Sequence, residues 1–302
     1  MTRPLIVGVD GSESSLRATD WAADEAALRH VPLRIVHATL WERYEETVPE
    51  TAPEAGPQEG PAGRTPGGAI VRTAAARARR RHPDLPVTTA VVPEEPEYAL
   101  VREARDACAV VLGTRGRSGL TDLLLGSVGL AVAAHADRPV IVVRGAHDNR
   151  GGAGPLGRVV VGVGETSATA VRFACEEARL RDSDLVAVRA WRCPAHESAD
   201  HPLLAGEPAR LHEERAADAL EAALKEAPPE LEPLRHTVEG PAHRVLLAAS
   251  YDADLLVLGA RRRAGYIGLQ GLQLGRVAHR LLHHSACPVA VVPEREEFGP
   301  LD

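Results

Sequence analysis

The 302-residue sequence has few aromatic side chains and no long apolar run. Aromatic residues make up only 3% of the chain, so a buried core must be built from Val, Leu, Ala and Ile, which dominate the 44% hydrophobic content. No apolar stretch reaches the roughly 18 residues that a membrane-spanning helix needs, which predicts a protein without such a helix. The first residues carry no signal-peptide pattern, so we expect a cytoplasmic protein.

Cysteine and clustered positive charge are also scarce. The four cysteines lie far apart without CxxC spacing, at positions Cys108, Cys175, Cys193 and Cys287. This scatter predicts reduced thiols with a packing role and no disulfides, rather than a metal or redox site. The net charge is −7 and no run of Lys or Arg is long enough to suggest a nucleic-acid surface, so no nucleic-acid partner is expected.

An internal repeat divides the chain into two halves. Four segments of the first half recur in the second: 5–12 as 159–166, 33–38 as 185–190, 110–113 as 256–259, and 138–143 as 287–292. Each half alternates short apolar runs with segments of helical period, which predicts a parallel sheet with helical crossovers. The sequence therefore predicts two tandem copies of a five-stranded, doubly wound, Rossmann-like α/β domain, at 1–146 and 158–302, joined by a linker at 147–157.

The repeat also gives approximate element positions. In the first half we predict strands near 4–9, 33–38, 86–92, 109–113 and 139–143, and helices near 13–30, 69–82, 95–106 and 127–136. In the second half we predict strands near 158–163, 184–190, 234–238, 254–259 and 288–292. Ser12, Ser14 or Ser15 is the predicted N-cap of the first helix. The Glu-, Pro- and Gly-rich segment 42–67 is predicted to be a mobile loop, either a cover for a site or a slack insertion.

The segment 110–128 joins an apolar run to a glycine-rich loop and then to a helix start. Glycines let backbone N–H groups approach an anion, and the first helical turn adds unpaired donors. The spacing Gly113-x2-Gly116-x9-Gly126-Ser127 lacks the lysine of a P-loop and lies too late in its half for a dinucleotide fingerprint. Two interpretations are open at this point: a phosphate-binding loop, or a strand–helix turn that needs glycine for packing alone.

This spacing resembles the ATP-binding signature of universal stress proteins, and the strand–helix order of each half is similar to the domain of that family. The resemblance extends over almost all of both halves. It implies that an adenine nucleotide, ATP with Mg²⁺, binds at the carboxyl ends of the strands in the first domain. The nucleotide-binding residues that it implies are Val9, Asp10, Gly11, Ser12, Ala38, Leu112, Gly113, Arg115, Gly116, Gly126, Ser127 and Val128.

The resemblance also implies a role for several of these residues. The carboxylate of Asp10 suits a ribose hydroxyl or a Mg²⁺ ion held through the nucleotide, and a simple helix-capping role stays open beside it. Backbone groups at Ala38 are implied to recognise the adenine. Gly126 and Ser127 offer backbone N–H groups and a hydroxyl to the β- and γ-phosphates. Arg115 either adds positive charge or faces solvent.

The second half departs from this pattern at three positions. Gly164 stands in place of Asp10, Arg262 in place of Gly116, and Arg276 in place of Ser127. We therefore expect that the second domain does not bind ATP in the manner of the family. Domains of the family pair through their last strand, so the resemblance implies pairing of the two domains within one chain and allows a homodimer.

Three functions are open at this stage. The first is an ATP-binding stress-response protein whose nucleotide acts as a conformational or partner-binding signal. The second is a slow Mg²⁺-dependent ATP hydrolase, and the third is a scaffold that binds no nucleotide. No catalytic residue is predicted, because no glutamine or histidine lies within or beside the loop 113–127, so at most slow hydrolysis is expected.

Overall fold

The computed structural model describes residues 2–40, 65–114, 125–144, 155–193, 207–225, 227–261 and 274–294. The chain divides into two compact units, Met1–Val143 and Arg144–Asp302. Each unit is an α/β domain with a five-stranded parallel sheet, which confirms the predicted fold class. The linker at 147–157 and the limits 1–146 and 158–302 stay predictions, because residues 145–154 lie outside the described ranges.

The first domain alternates strands and helices along its whole length. Its elements are β1 (Leu5–Gly8), α1 (Glu13–Leu28), β2 (Leu33–Ala38), α2 (Pro66–Arg81), β3 (Val87–Val92), α3 (Pro96–Ala104), β4 (Ala109–Gly113), α4 (Ser127–His135) and β5 (Val140–Val143). The strand order is β3-β2-β1-β4-β5, and all neighbouring strands are parallel. The winding reverses between β1 and β4, whose carboxyl ends therefore flank a crevice.

The second domain repeats this order. Its elements are β6 (Arg158–Gly162), α5 (Ala168–Arg181), β7 (Asp184–Trp191), α6 (Glu207–Leu224), β8 (Leu234–Glu239), α7 (Ala242–Ala249), a 3₁₀ turn (Ser250–Asp252), β9 (Leu255–Arg261), α8 (Arg276–His284) and β10 (Val289–Glu294). The strand order is β8-β7-β6-β9-β10, again parallel throughout. The winding reverses here between β6 and β9.

Most element positions agree with the sequence pattern, and the differences lie at element ends. Helix α2 begins three residues earlier than predicted, because the side chain of Thr65 accepts the backbone N–H of Gly68 and Pro66 takes the first helical position. Strands β9 and β10 each extend two residues further than predicted. The extension of β10 brings Glu294 into the strand.

The cores are aliphatic, as the composition predicts. Central strand residues such as Leu5, Val111 and Leu256 are fully buried, and Phe173 is the one aromatic side chain in the hydrophobic core of the described residues. Strands that are apolar on both faces fit a parallel sheet with helices on both sides. No helix in the described ranges is long and apolar enough to cross a membrane.

The four cysteines are free thiols. Burial raises the pKa of Cys108, with a smaller opposing effect from Arg29, and burial also raises the pKa of Cys175. A thiol with a raised pKa is a poor nucleophile, so these two side chains fit the predicted packing role. Within the part of the chain that the structure describes, no three His, Cys, Asp or Glu side chains are grouped as a metal site requires.

Each domain contains a buried ion pair among its described residues. Arg29 lies 2.5 Å from Glu25 in α1, and Arg181 lies 2.9 Å from Glu177 in α5, both at i,i+4 spacing. The two glutamates are essentially unexposed, at 1% and 0%. Each pair lies near the end of the first helix of its domain, on the side that packs against the sheet.

Candidate functional site

The start of α1 is held by a local hydrogen-bond network beyond the carboxyl end of β1. Ser12 is the N-cap, and its hydroxyl oxygen accepts the backbone N–H of Ser15 at 3.2 Å. Asp10 Oδ1 accepts both the backbone N–H of Ser12 at 3.0 Å and the Ser12 hydroxyl at 2.6 Å. Gly11 lies between them at φ 81°, a left-handed conformation that favours glycine. Of the three serines predicted as candidate caps, Ser12 is the one used.

Asp10 keeps one oxygen free of this network. Both of its hydrogen bonds use Oδ1, and Oδ2 has no hydrogen-bond partner among residues 2–40 or the other described ranges. The carboxylate is half-buried at the sheet edge where the winding reverses. A carboxylate with one anchored and one free oxygen can accept from a ribose hydroxyl or ligate a hard cation such as Mg²⁺. Helix capping and ligand binding by Asp10 are therefore compatible.

His37 is a site neighbour that the sequence reasoning missed. It lies on β2, is 9% exposed, and its Nδ1 donates to the backbone oxygen of Val9 at 2.7 Å. The backbone N–H of Val9 donates to Val36. Both backbone groups of Val9 are therefore satisfied within the protein, so this residue shapes the site rather than donating to a ligand. The one sequence signal for His37 is a polar residue within the apolar run 35–38 of β2.

Gly113 and Leu112 have clear packing roles. A Cβ placed on Gly113 would lie 2.5–2.7 Å from the hydroxyl and backbone of Ser14, so only glycine fits against the start of α1. The side chain of Leu112 fills the space over Gly8, where an added Cβ would lie 2.7 Å from it. For Gly113, then, the packing interpretation accounts for the glycine without a ligand.

Gly126 differs from Gly113 in this respect. Its φ of −68° and ψ of 159° are open to any residue, and the one described atom that an added Cβ would meet is the Thr114 backbone oxygen, at 3.9 Å. It is the N-cap of α4, and no side chain caps this helix. The backbone N–H groups at the start of a helix have no partner within it, so those of Ser127 and Val128 are available to an anion. The exposed hydroxyl of Ser127 has no partner in the described ranges.

The remaining predicted residues are only partly accounted for. Ala38 ends β2, next to Val92 of β3, and is 8% exposed. Arg115 and Gly116 lie outside the described residues, so their predicted contacts stay predictions. Because β1 pairs with both β2 and β4, the ends carrying Asp10, Ala38 and Gly113 share one edge of the sheet.

The second domain has a cavity of about 760 Å³ at the corresponding edge of its sheet. Its wall includes the carboxyl ends of β6, β7 and β9 and the start of α8. Here the start of α5 is held by a different group. Glu294, 5% exposed at the end of β10, accepts the backbone N–H groups of Thr169 at 3.0 Å and Ala170 at 2.9 Å.

Comparisons with known proteins agree with the repeat. Residues 1–144 and 155–293 match the sequence profile of the universal stress protein family. The universal stress protein Rv2005c of Mycobacterium tuberculosis is 32% identical over 292 residues, covering 95% of this chain and 96% of the relative. The universal stress protein Rv2623 of the same organism is 29% identical over 295 residues, covering 96% of both chains.

A solved structure supports the fold itself. The crystal structure of a universal stress protein from Archaeoglobus fulgidus matches with a TM-score of 0.62 at 15% identity, covering 96% of this chain and 98% of that one. The family profile covers both halves of the chain, and a relative above 30% identity spans nearly all of it. The chain therefore belongs to the universal stress protein family.

Proposed function

We propose that the first domain binds ATP, with Mg²⁺, at the carboxyl ends of β1, β2 and β4, and that the bound nucleotide is a conformational or partner-binding signal. The observation that carries the proposal is Gly126, a glycine that neither its backbone angles nor its neighbours among the described residues require. Because Gly126 has no side chain and begins a helix without a side-chain cap, a phosphate can approach the backbone closely there.

Asp10 supports the metal part of the proposal. Its free Oδ2 lies at the same edge of the sheet as Gly113, the last residue of β4. Mg²⁺ in nucleotide sites is held by one or two carboxylates together with substrate phosphates and water, so a single free carboxylate oxygen fits this donor set. The metal would supply charge neutralisation of the phosphates, and Asp10 would orient it from the anchored loop.

We expect Gly126→Ala to lower the affinity for ATP with Mg²⁺ by about 10- to 100-fold, the equivalent of one charge-assisted hydrogen bond. Among the residues that the structure describes, the added methyl group meets only the Thr114 oxygen, at 3.9 Å, so we expect it to intrude on the ligand. The fold should be spared, because the entropic gain of Gly→Ala offsets the poorer capping by alanine. Calorimetric titration of ligand-free protein measures the affinity, and thermal unfolding measures the stability.

A change at the other end of α4 serves as the control for this variant. His135 is exposed at the carboxyl end of the helix, and its Nδ1 donates to the Ala131 oxygen at 2.7 Å. His135→Ala should leave ATP affinity unchanged. Unaltered ATP affinity in Gly126→Ala would contradict the proposed phosphate position, and absence of ATP binding by the unaltered protein would favour the scaffold function.

Asp10→Asn tests the metal separately from the fold. An asparagine Oδ1 can accept the same two bonds from Ser12, while its amide nitrogen replaces the free oxygen. We expect the gain in ATP affinity that Mg²⁺ gives to fall about tenfold or more, the usual effect of losing one interaction with a charged group. The ATP affinity in EDTA should change little. Titrations with Mg²⁺ and with EDTA, beside an assay of phosphate release, give both quantities. Fast turnover that collapses in Asp10→Asn would favour the hydrolase function instead.

A further inference from the structure

The ladder of hydrogen bonds between β1 and β2 stops one step before β2 ends. The parallel register ends at the pair Gly8 and Val36, and beyond it the backbone N–H of Val9 donates to the Val36 oxygen at 2.9 Å. The next bond of a parallel ladder would join the Ala38 N–H to the Val9 oxygen. Both residues lie in the described ranges, and this bond between them is not formed.

The side chain of His37 occupies the acceptor that this bond would use. Its Nδ1 lies 2.7 Å from the Val9 oxygen, and because a carbonyl oxygen can only accept, Nδ1 carries the hydrogen and donates. The residue is 9% exposed, so the bond is shielded from water and holds the imidazole at the edge of the sheet. The last acceptor of β1 is therefore paired with a side chain instead of the backbone of β2.

Ala38 consequently keeps both of its backbone groups open. Alternate residues of β2 bond to opposite neighbours: Val36 bonds to β1, and Thr39, just after the strand, donates to Val92 of β3 at 3.0 Å. Ala38 belongs to the set that faces β1, and its N–H and C=O form no hydrogen bond within the part of the chain that the structure describes. Ala38 is only 8% exposed, and buried backbone groups are costly unless a partner pairs with them.

The same interruption occurs in the second domain. The register of β6 and β7 ends at the pair Gly162 and Val188, and the Val163 N–H donates to the Val188 oxygen at 2.9 Å. The Val163 oxygen then accepts from Nη1 of Arg189 at 3.2 Å, as the Val9 oxygen accepts from a side chain in the first domain. Two different residue types make the same contact, so the requirement at this position is a side-chain donor that reaches the end of the first strand.

We propose that His37 is a positioning residue that gives the nucleotide site its preference for adenine. By pairing with the Val9 oxygen, His37 prevents the Ala38 N–H from completing the ladder and keeps it available to the base. An N–H beside a C=O pairs with adenine, whose N1 accepts and whose N6 amino group donates. Guanine has a donor at N1 and an acceptor at O6, so it opposes like groups at both positions and loses both bonds. This inference rests on the proposed binding of ATP by the first domain.

His37→Leu tests this role, because leucine fills the buried position without supplying a donor. The Val9 oxygen is then left for the Ala38 N–H, which closes the ladder. We expect the affinity for ATP with Mg²⁺ to fall about 5- to 10-fold, the usual effect of losing one neutral hydrogen bond, and the affinity for GTP with Mg²⁺ to change little. Calorimetric titration of the full-length protein gives the ratio of the two affinities. A general loss of structure would lower both affinities together and leave that ratio unchanged.

Two further variants separate the donor from the packing. His37→Asn should keep the ratio of the unaltered protein, because the amide Nδ2 takes the place of Nδ1 and donates to the Val9 oxygen. Ile35→Val is the packing control: Ile35 is fully buried two positions earlier in β2, on the same face of the strand, and loses a buried methyl group without any change of donor. An unchanged ratio in His37→Leu, or an equal shift in Ile35→Val, would overturn the proposal.

Amide hydrogen exchange tests the open N–H without any ligand. In the ligand-free, unaltered protein the Ala38 amide should exchange faster than the Val36 amide, which lies within the ladder, and His37→Leu should slow the exchange of Ala38. Failure of His37→Leu to slow it would contradict the proposal. Absence of ATP binding by the unaltered protein would overturn the proposed function and this inference with it, whereas ATP binding with an unchanged ratio in His37→Leu would overturn this inference alone.

Discussion

Replacing Glu177 with alanine is expected to destabilise the second domain by about 3–5 kcal/mol, the usual result of removing one partner of a buried ion pair. Glu177 is 0% exposed, and the side chain of Arg181 is 18% exposed. Without the carboxylate, the guanidinium lies in a poorly solvated position with its charge uncompensated. In a domain of this size the loss corresponds to a fall in melting temperature of roughly 10 °C. Calorimetry of the full chain measures it.

Helix α6 offers a control with the same spacing and no burial. Arg210 and Glu214 form an i,i+4 pair at 2.9 Å, with side chains 78% and 56% exposed. Glu214→Ala should therefore change stability by less than about 0.5 kcal/mol. Glu25→Ala in α1 should repeat the Glu177 result in the first domain, since its carboxylate is 1% exposed. Equal losses of stability in Glu177→Ala and Glu214→Ala would contradict the prediction, because burial would then not determine the contribution of the ion pair.

The fold was predictable because its signals are local. Runs such as 109–113 are apolar at every position, and a strand buried on both faces of a parallel sheet is the simplest structure for them. The N-cap at Ser12 and its contact with Asp10 join residues two positions apart, so the sequence contains the whole interaction. Helix α2 begins before the apolar period because Thr65 caps it and Pro66 takes its first position.

The parts of the site that were missed depend on the arrangement of the sheet. His37 contacts Val9 because β2 pairs with β1. The two residues are 28 positions apart, and that spacing alone does not predict the contact. The sequence shows the spacing of the glycines but not why each position needs a glycine. Gly113 is required by Ser14, about a hundred residues earlier, while Gly126 is required by nothing within the described protein. Only the structure distinguishes a glycine that packing requires from one that leaves room for a ligand.

Glu294 is the clearest case of a contact beyond sequence reasoning, because its partners lie about 125 residues earlier. Glu294→Ala is expected to cost about 2–4 kcal/mol, since two N–H groups at the start of α5 lose their acceptor and the helix dipole loses a compensating charge. Glu294→Gln should cost about half as much, because the amide oxygen still accepts from one donor. Chemical denaturation of the full chain gives both values.

A double-mutant cycle with Gly259 tests whether the Glu294 carboxylate has the described position. A Cβ on Gly259 would lie 2.7 Å from Glu294 Oε1, so Gly259→Ala must displace the carboxylate from its two donors. In the Glu294→Ala background that clash is absent, and the same substitution should cost about 1 kcal/mol less, a coupling typical of residues in direct contact. Additive effects would mean that the carboxylate does not pack against Gly259. A coupled result would support the position of the Glu294 carboxylate against Gly259, where it accepts the two N–H groups at the start of α5.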